Sequence, residues 1–278
     1  MIRTILVAVA GRGLCEEMLK YLMEIPSIQA AKVTILHVVP PQVSADDMFA
    51  KLEEGGKILA EAVKTLNLDP SKVQPLLKQG DPKDIVCQVA DEEDADLIIM
   101  GSRALGRLQA ILENSVSQYV FQLTSRPMLL VKDDIYVRKI NRIMVPLGKS
   151  EENSESLNLA LSLLREITGG QLILTRVVPK GSKQITIDQD PVLTIAMKKA
   201  NHLGVFCRNL IVEGDIGEQI CEVAKNEKVD LLMIGSPDRR PSIAKSLIDI
   251  DRFMGGSTSD YVRINAPCPV LLSRTAAS

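Results

Sequence analysis

The chain repeats its own text once. The apolar run Ile5-Leu6-Val7-Ala8-Val9 returns as Ile143-Met144-Val145-Pro146-Leu147. Gly80-Asp81 returns as Gly214-Asp215, and the string from Asp96 to Ser102 (DLIIMGS) returns from Asp230 to Ser236 (DLLMIGS). Ser115-x-Ser117-x-Tyr119-Val120 is matched by Ser257-x-Ser259-x-Tyr261-Val262, and Pro127-Met128-Leu129-Leu130 by Pro269-Val270-Leu271-Leu272. Counterparts lie 138 residues apart at the first run, 134 at Gly80 and Gly101, and 142 from Ser115 onward. The order is kept, and two small length changes account for the drift. A repeat this long is a duplicated domain, not a solenoid unit of a few dozen residues. Each half has the size of an independently folding domain. The expected division is 1–136 and 137–278, with the charged stretch Lys132–Arg142 joining the halves.

Each half reads as strands alternating with helices. In the first, Ile5–Val9 is an unbroken apolar run of strand length, as in a parallel sheet buried on both faces. Leu14, Met18, Leu22 and Ile25 follow at helical spacing before Pro26. Val33–Val39 is a second strand, stopped by Pro40-Pro41. Phe49, Leu52, Gly56, Leu59, Val63 and Leu66 then line one face of a long helix. Val73–Leu77 is the third strand. Asp81 suits a helix N-cap and Pro82 the first helical position, with Ile85, Val86 and Val89 facing the core. Leu97–Met100 is the fourth strand, Ser115 opens another helix, and Met128–Val131 is the fifth strand. The second half repeats this order through Leu172–Val178, Leu193–Leu203, Leu210–Glu213, Ile216–Ala224, Leu231–Ile234 and Pro269–Ser273. The alternation predicts two tandem doubly wound five-stranded parallel sheets, an α/β, Rossmann-like class. Right-handed crossovers place helices on both faces of such a sheet. Ligands then bind beyond the carboxyl ends of the strands, where the strand order reverses.

Composition narrows the function. A net charge of −2 gives no support for a nucleic-acid or membrane-surface partner. No apolar run reaches 18 residues, so no transmembrane helix is expected. The N-terminus enters strand-like sequence without the basic start and cleavage site of a secretory signal. Cys15, Cys87, Cys207, Cys221 and Cys268 are scattered without a CxxC pair and read as reduced thiols of a cytoplasmic protein. Each is more simply a small buried hydrophobe than a redox group. The two histidines, His37 and His202, have no ligand cluster around them, which argues against a zinc site. No Ser–His–Asp, paired-carboxylate or metal set is evident, so the chain is not expected to be an enzyme, slow ATP hydrolysis aside.

Chemistry concentrates after the fourth strand. Gly101-Ser102-Arg103 through Asn114-Ser115-Val116-Ser117 links a buried strand to a helix start. Unpaired N–H groups at a helix N-terminus, at the positive end of its dipole, suit a phosphate. Glycine lets the backbone approach one closely. Ser115 or Ser117 would cap the helix or donate to a phosphate oxygen, and for an isolated Ser-x-Ser capping alone is the commoner role. Gly101 and Gly106 fit the start of a Walker A string, but Arg107-Leu108 replaces its Lys-Ser/Thr, so this is no P-loop NTPase.

On these residues the whole chain resembles a tandem universal stress protein. The carriers are VAVAGRG at the start, ILHVVP, the turns GDPKDI and GDIGEQI, DLIIMGS and DLLMIGS, NSVSQYV and GGSTSDYV, and the proline-led last strands. The resemblance implies a five-stranded parallel sheet of the adenine nucleotide alpha hydrolase type. It implies a stress-response role and, in one branch of the family, ATP bound through Gly-x2-Gly-x9-Gly-Ser/Thr. Carried over, the first half keeps Gly101 and Ser115 but has Ala104 and Asn114 at the other glycine positions. Asn114 tolerates the left-handed backbone a glycine would supply there. The family's adenosine-contacting Asp falls at Ala10 and at Gly148, and its backbone adenine contact at Val38 and Val177. The second half keeps Gly235, Gly256 and Ser257, followed by Thr258, has Asp238 for the second glycine, and carries a loop eight residues longer with Arg239, Arg240 and Lys245.

The resemblance therefore implies a binding set of Ala10, Val38, Gly101, Ser102, Arg103, Asn114, Ser115 and Val116 in the first half. The second half contributes Val177, Gly235, Gly256, Ser257 and Thr258. The expected cofactor is ATP or ADP, with or without Mg. An internal pseudo-dimer of the two halves and a homodimer of chains are expected. The alternative is a stress scaffold that binds no nucleotide and works through protein–protein contacts. In that reading the missing glycines and the missing Asp are taken at face value.

Overall fold

The computed structural model describes residues 2–102, 115–148, 152–182, 186–237 and 258–275. They fall into two compact units that divide between Asp134 and Ile135.

The first unit runs β1 (Thr4–Ala8), α1 (Leu14–Met23), β2 (Lys32–Val39), α2 (Ala45–Leu66), β3 (Val73–Gln79), α3 (Pro82–Glu92), β4 (Leu97–Ser102), α4 (Val116–Leu123) and β5 (Met128–Lys132). Its strands pair in parallel in the order β3-β2-β1-β4-β5. Ile5, Leu6, Val7, Leu97, Ile98, Ile99 and Leu129 are wholly buried, which explains why β1, β4 and β5 read as continuous apolar runs. Each such side chain contributes about 1.5–3 kcal/mol of burial. α2 begins at Ala45, four residues before the apolar stripe, because the Ser44 hydroxyl accepts from Asp47 N and starts the helix.

The second unit runs β6 (Arg142–Pro146), α5 (Glu152–Leu164), β7 (Gln171–Val178), α6 (Pro191–His202), β8 (Phe206–Glu213), α7 (Ile216–Asn226), β9 (Leu231–Pro237), α8 (Thr258–Asn265) and β10 (Val270–Thr275). The order β8-β7-β6-β9-β10 repeats the first unit's, again parallel. β8 is twice as long as the expected Leu210–Glu213. It is the edge strand, paired only with β7 within its unit. Its first four residues, Phe206 to Asn209, mix apolar and polar side chains that leave no strand-like run.

The two units share structural devices as well as topology. Asp81 and Asp215 cap α3 and α7, accepting from Lys83 N and Glu218 N, and Pro82 takes the first helical position as expected. The glycine before each cap, Gly80 or Gly214, has φ of 143° or 148°. A Cβ there would sit 2.8 Å from Ile85 Cγ1 or 2.9 Å from Gln219 Cγ, so glycine is required at this turn. The Asp that opens DLIIMGS and DLLMIGS seals the start of the sheet. Asp96 Oδ2 accepts from Arg3 N (2.7 Å) and Thr4 N (3.1 Å), and Asp230 Oδ2 from Asn141 N (3.0 Å) and Arg142 N (2.8 Å).

Among the described residues, no helix is long and apolar enough to cross a membrane.

Candidate functional site

In the first unit the chain runs from β1 out to β3 on one side, then crosses to β4 and β5 on the other. A crevice therefore opens between the exits of β1 and β4, the place where doubly wound sheets take ligands. Register keeps the exits level: Ala8 lies opposite both Leu36 and Met100. Ala10, Val38, Gly101 and Ser102 thus reach one rim. Ala10 and Gly101 are exposed, Val38 is half-buried and Ser102 is buried.

Beyond β1 the loop is Gly11-Arg12-Gly13, with both glycines left-handed (φ 74° and 76°). A Cβ on Gly11 would lie 3.4 Å from Ile58 Cγ1, so α2 closes against this loop. Arg12 pairs with Asp133, whose backbone N donates to Ser102 O (3.1 Å), tying the loop to the ends of β4 and β5. The first turn of α1 carries Glu16, only 4% exposed, and burial pushes its carboxyl above the ordinary range. Cys15 Sγ lies 3.8 Å from where a Gly101 Cβ would be. Burial, with help from Glu16, pushes that thiol far up, so it is packing and not a thiolate.

Ser115 stands at the N-cap position of α4 with extended backbone, yet its side chain caps no amide. Its Oγ instead pairs with Ser117 Oγ at 2.9 Å. The capping role expected of this serine is thus not the one it plays. The first N–H groups of α4 are left without a side-chain acceptor from the cap. Val116 is the first helical residue and is half-buried. Arg103 and Asn114 lie outside the described residues.

In the second unit Val177 is half-buried near the end of β7, Gly235 is half-buried within β9, and Thr258 opens α8. Ser236 and Ser259, the counterparts of Ser102 and Ser117, are buried with hydroxyls 3.4 Å apart. Gly256 and Ser257 lie outside the described residues.

Sequence reasoning overlooked a bond that spans each rim. His37, near the end of β2, sets Nδ1 2.9 Å from Val9 O, just past β1. Its counterpart Arg176 donates from Nη1 to Leu147 O (3.0 Å), just past β6. Arg176 Nε also donates to Asp190 Oδ2 (3.0 Å), and Asp190 caps α6 by accepting from Val192 N and Leu193 N. Burial alone would raise the Asp190 carboxyl. The amides of Leu193 and Val192 and the Arg176 guanidinium outweigh it and hold the group below the ordinary range. The signal was present in the paired strings ILHVVP and ILTRVVP, where the residue third from the proline is His in one and Arg in the other.

The sequence pattern of the universal stress protein family matches residues 1–132 and again 139–274. The chain belongs to the universal stress protein family. It is a tandem member with two such domains. A universal stress protein of Methanocaldococcus jannaschii is 28% identical over 137 residues, spanning 41% of this chain and 85% of that protein. The universal stress protein YxiE of Bacillus subtilis is 26% identical over 148 residues, 48% of this chain and 100% of its own length. The crystal structure of a universal stress protein from Archaeoglobus fulgidus superposes with a TM-score of 0.75 at 18% identity. It covers 98% of this chain and 96% of its own, which shows a shared fold. At the positions where the family's adenosine-contacting Asp would fall, this chain has Ala10 and Gly148.

Proposed function

We propose that the protein is a regulatory universal stress protein that holds an adenine nucleotide, ATP or ADP, at the rim of at least one domain. The nucleotide acts there as a signal and not as a substrate. The observation that carries this reading is the start of α4. Its cap serine bonds another serine, so among the described residues no cap side chain takes the main-chain donors at the positive end of the helix, which suit an anion. Exposed Gly101 across the crevice adds no side chain to obstruct one. A purine would lie toward Val38, where the half-buried end of β2 offers backbone donors and acceptors. Mg would be carried by the phosphates, with or without protein ligands.

The test is mass spectrometry of small molecules released from freshly purified protein, backed by thermal melting with ATP, ADP and AMP. An adenine nucleotide in the released fraction and a rise in melting temperature are expected. A flat thermal response at millimolar concentration, with nothing released, removes the reading.

A second reading is favoured by Ala10 and Gly148: a scaffold that binds no nucleotide and acts through protein contacts. A cytoplasmic location and pairing of two chains belong to both readings, and light scattering on the purified protein decides the pairing.

A further inference from the structure

The two rims carry different side chains at one equivalent position. In the first, Val9 O can only accept, so the His37 nitrogen facing it at 2.9 Å carries the proton. The far side of the ring packs against α2, where a Cβ on Gly55 would meet His37 Cδ2 at 2.9 Å. In the second, Arg176 has five N–H donors and no acceptor. One goes to Leu147 O and one to Asp190, and three find no partner among the described residues. The side chain is only 13% exposed. Asp190, fixed as the cap of α6, holds the guanidinium fork in place.

This inference rests on the nucleotide reading above. A phosphate at the start of α4 or α8 lies on the β4 or β9 side of the crevice. The rest of the nucleotide must then extend across β1 or β6 toward the exit of β2 or β7. A base so extended would reach the end of β2 or β7, where His37 or Arg176 stands. We propose that this residue sets base choice. The second domain takes a purine bearing a carbonyl on its six-membered ring, a guanine-type nucleotide, through the Arg176 fork. The first has His37 in place of that fork and keeps the adenine nucleotide of the reading above.

An arginine fork matches the O6 and N7 acceptors of guanine in a bidentate way. Adenine would turn its amino donor against a second donor, a mismatch that the guanine carbonyl does not make.

The experiment uses the full-length chain. ADP and GDP binding are measured by titration calorimetry, and 8-azido forms of both are photolysed with the protein before peptide mass spectrometry. The guanine probe is expected on second-domain peptides and the adenine probe on first-domain peptides. The second domain should prefer GDP by about tenfold or more. Arg176→Gln, neutral and able to donate or accept, should abolish that preference, and Arg176→Lys should keep its direction. Melting curves identify the variants that fold. If Arg176→Gln does not fold, the label distribution on the wild-type chain and on Arg176→Lys decides. Equal labelling of both domains by both probes, or an unchanged preference in Arg176→Gln, overturns the inference. ADP bound in both domains alike leaves the nucleotide reading standing and this one fallen. No binding of either nucleotide removes both.

Discussion

At the residue scale, buried carboxyls carry opposite electrostatic burdens. Burial raises the Glu16 carboxyl, so the folded state holds a proton more tightly than the unfolded chain. Stability from this group is therefore fully present below the unfolded pKa and is lost as pH rises through the folded one. Glu16→Gln should raise the melting temperature at pH 7, and that gain should vanish below about pH 4. Melting wild type and variant across pH 3.5–7.5 checks it. Asp190 runs the other way. Its carboxyl is held low, so its contribution is present above the ordinary Asp value of about 4 and is lost as pH falls through the folded pKa. Asp190→Asn keeps the helix cap but drops the charge facing Arg176, and should cost roughly 2 kcal/mol at pH 7. Urea melts should show the gap to wild type closing in acid.

At the element scale, Ser115 separates a structural serine from a ligand-facing one. An N-cap serine replaced by alanine ordinarily costs about 1 kcal/mol. Here the hydroxyl caps no amide, so Ser115→Ala should lose only a few tenths, set by its bond to Ser117. It should nevertheless weaken any nucleotide in the first domain. Chemical denaturation and calorimetry on the same variant give the two numbers. The turn before α3 is less forgiving. Gly80→Ala combines a positive φ with a 2.8 Å approach to Ile85, and should cost about 1–3 kcal/mol in a urea melt. These turns, their caps and most strands were readable because each is set by a few neighbouring residues: Gly-Asp-Pro, an apolar run, a proline stop. The start of α2 and the first half of β8 were not. One depends on a serine outside the apolar stripe, and the other on an edge position that tolerates polar side chains.

At the scale of the whole molecule, each unit has its own five parallel strands and its own core, and most of the stretch between them is exposed, with Val137 and Ile140 buried. Tyr136 is 89% exposed, and Arg138 and Lys139 stand in the same segment. Brief trypsin treatment of the native protein should cut first within 132–139 and give two fragments of about half length. Mass spectrometry of the fragments locates the cut. Early cleavage inside β1, β4, β6 or β9 would contradict two separate cores.

The sequence by itself determined the duplication, the alternation of strand and helix, the doubly wound class and the family. Those properties follow from periodicity and turn chemistry that recur within short windows of chain. The tertiary structure alone decided what faces each rim. His37 meets Val9 across 28 positions, Arg176 meets Leu147 across 29, and Asp96 meets Arg3 across 93. Such pairs are made by the parallel register of neighbouring strands, which brings together residues that share no local pattern. The same register turned a His-to-Arg difference between two similar strings into a single ring N–H on one rim and a guanidinium fork on the other.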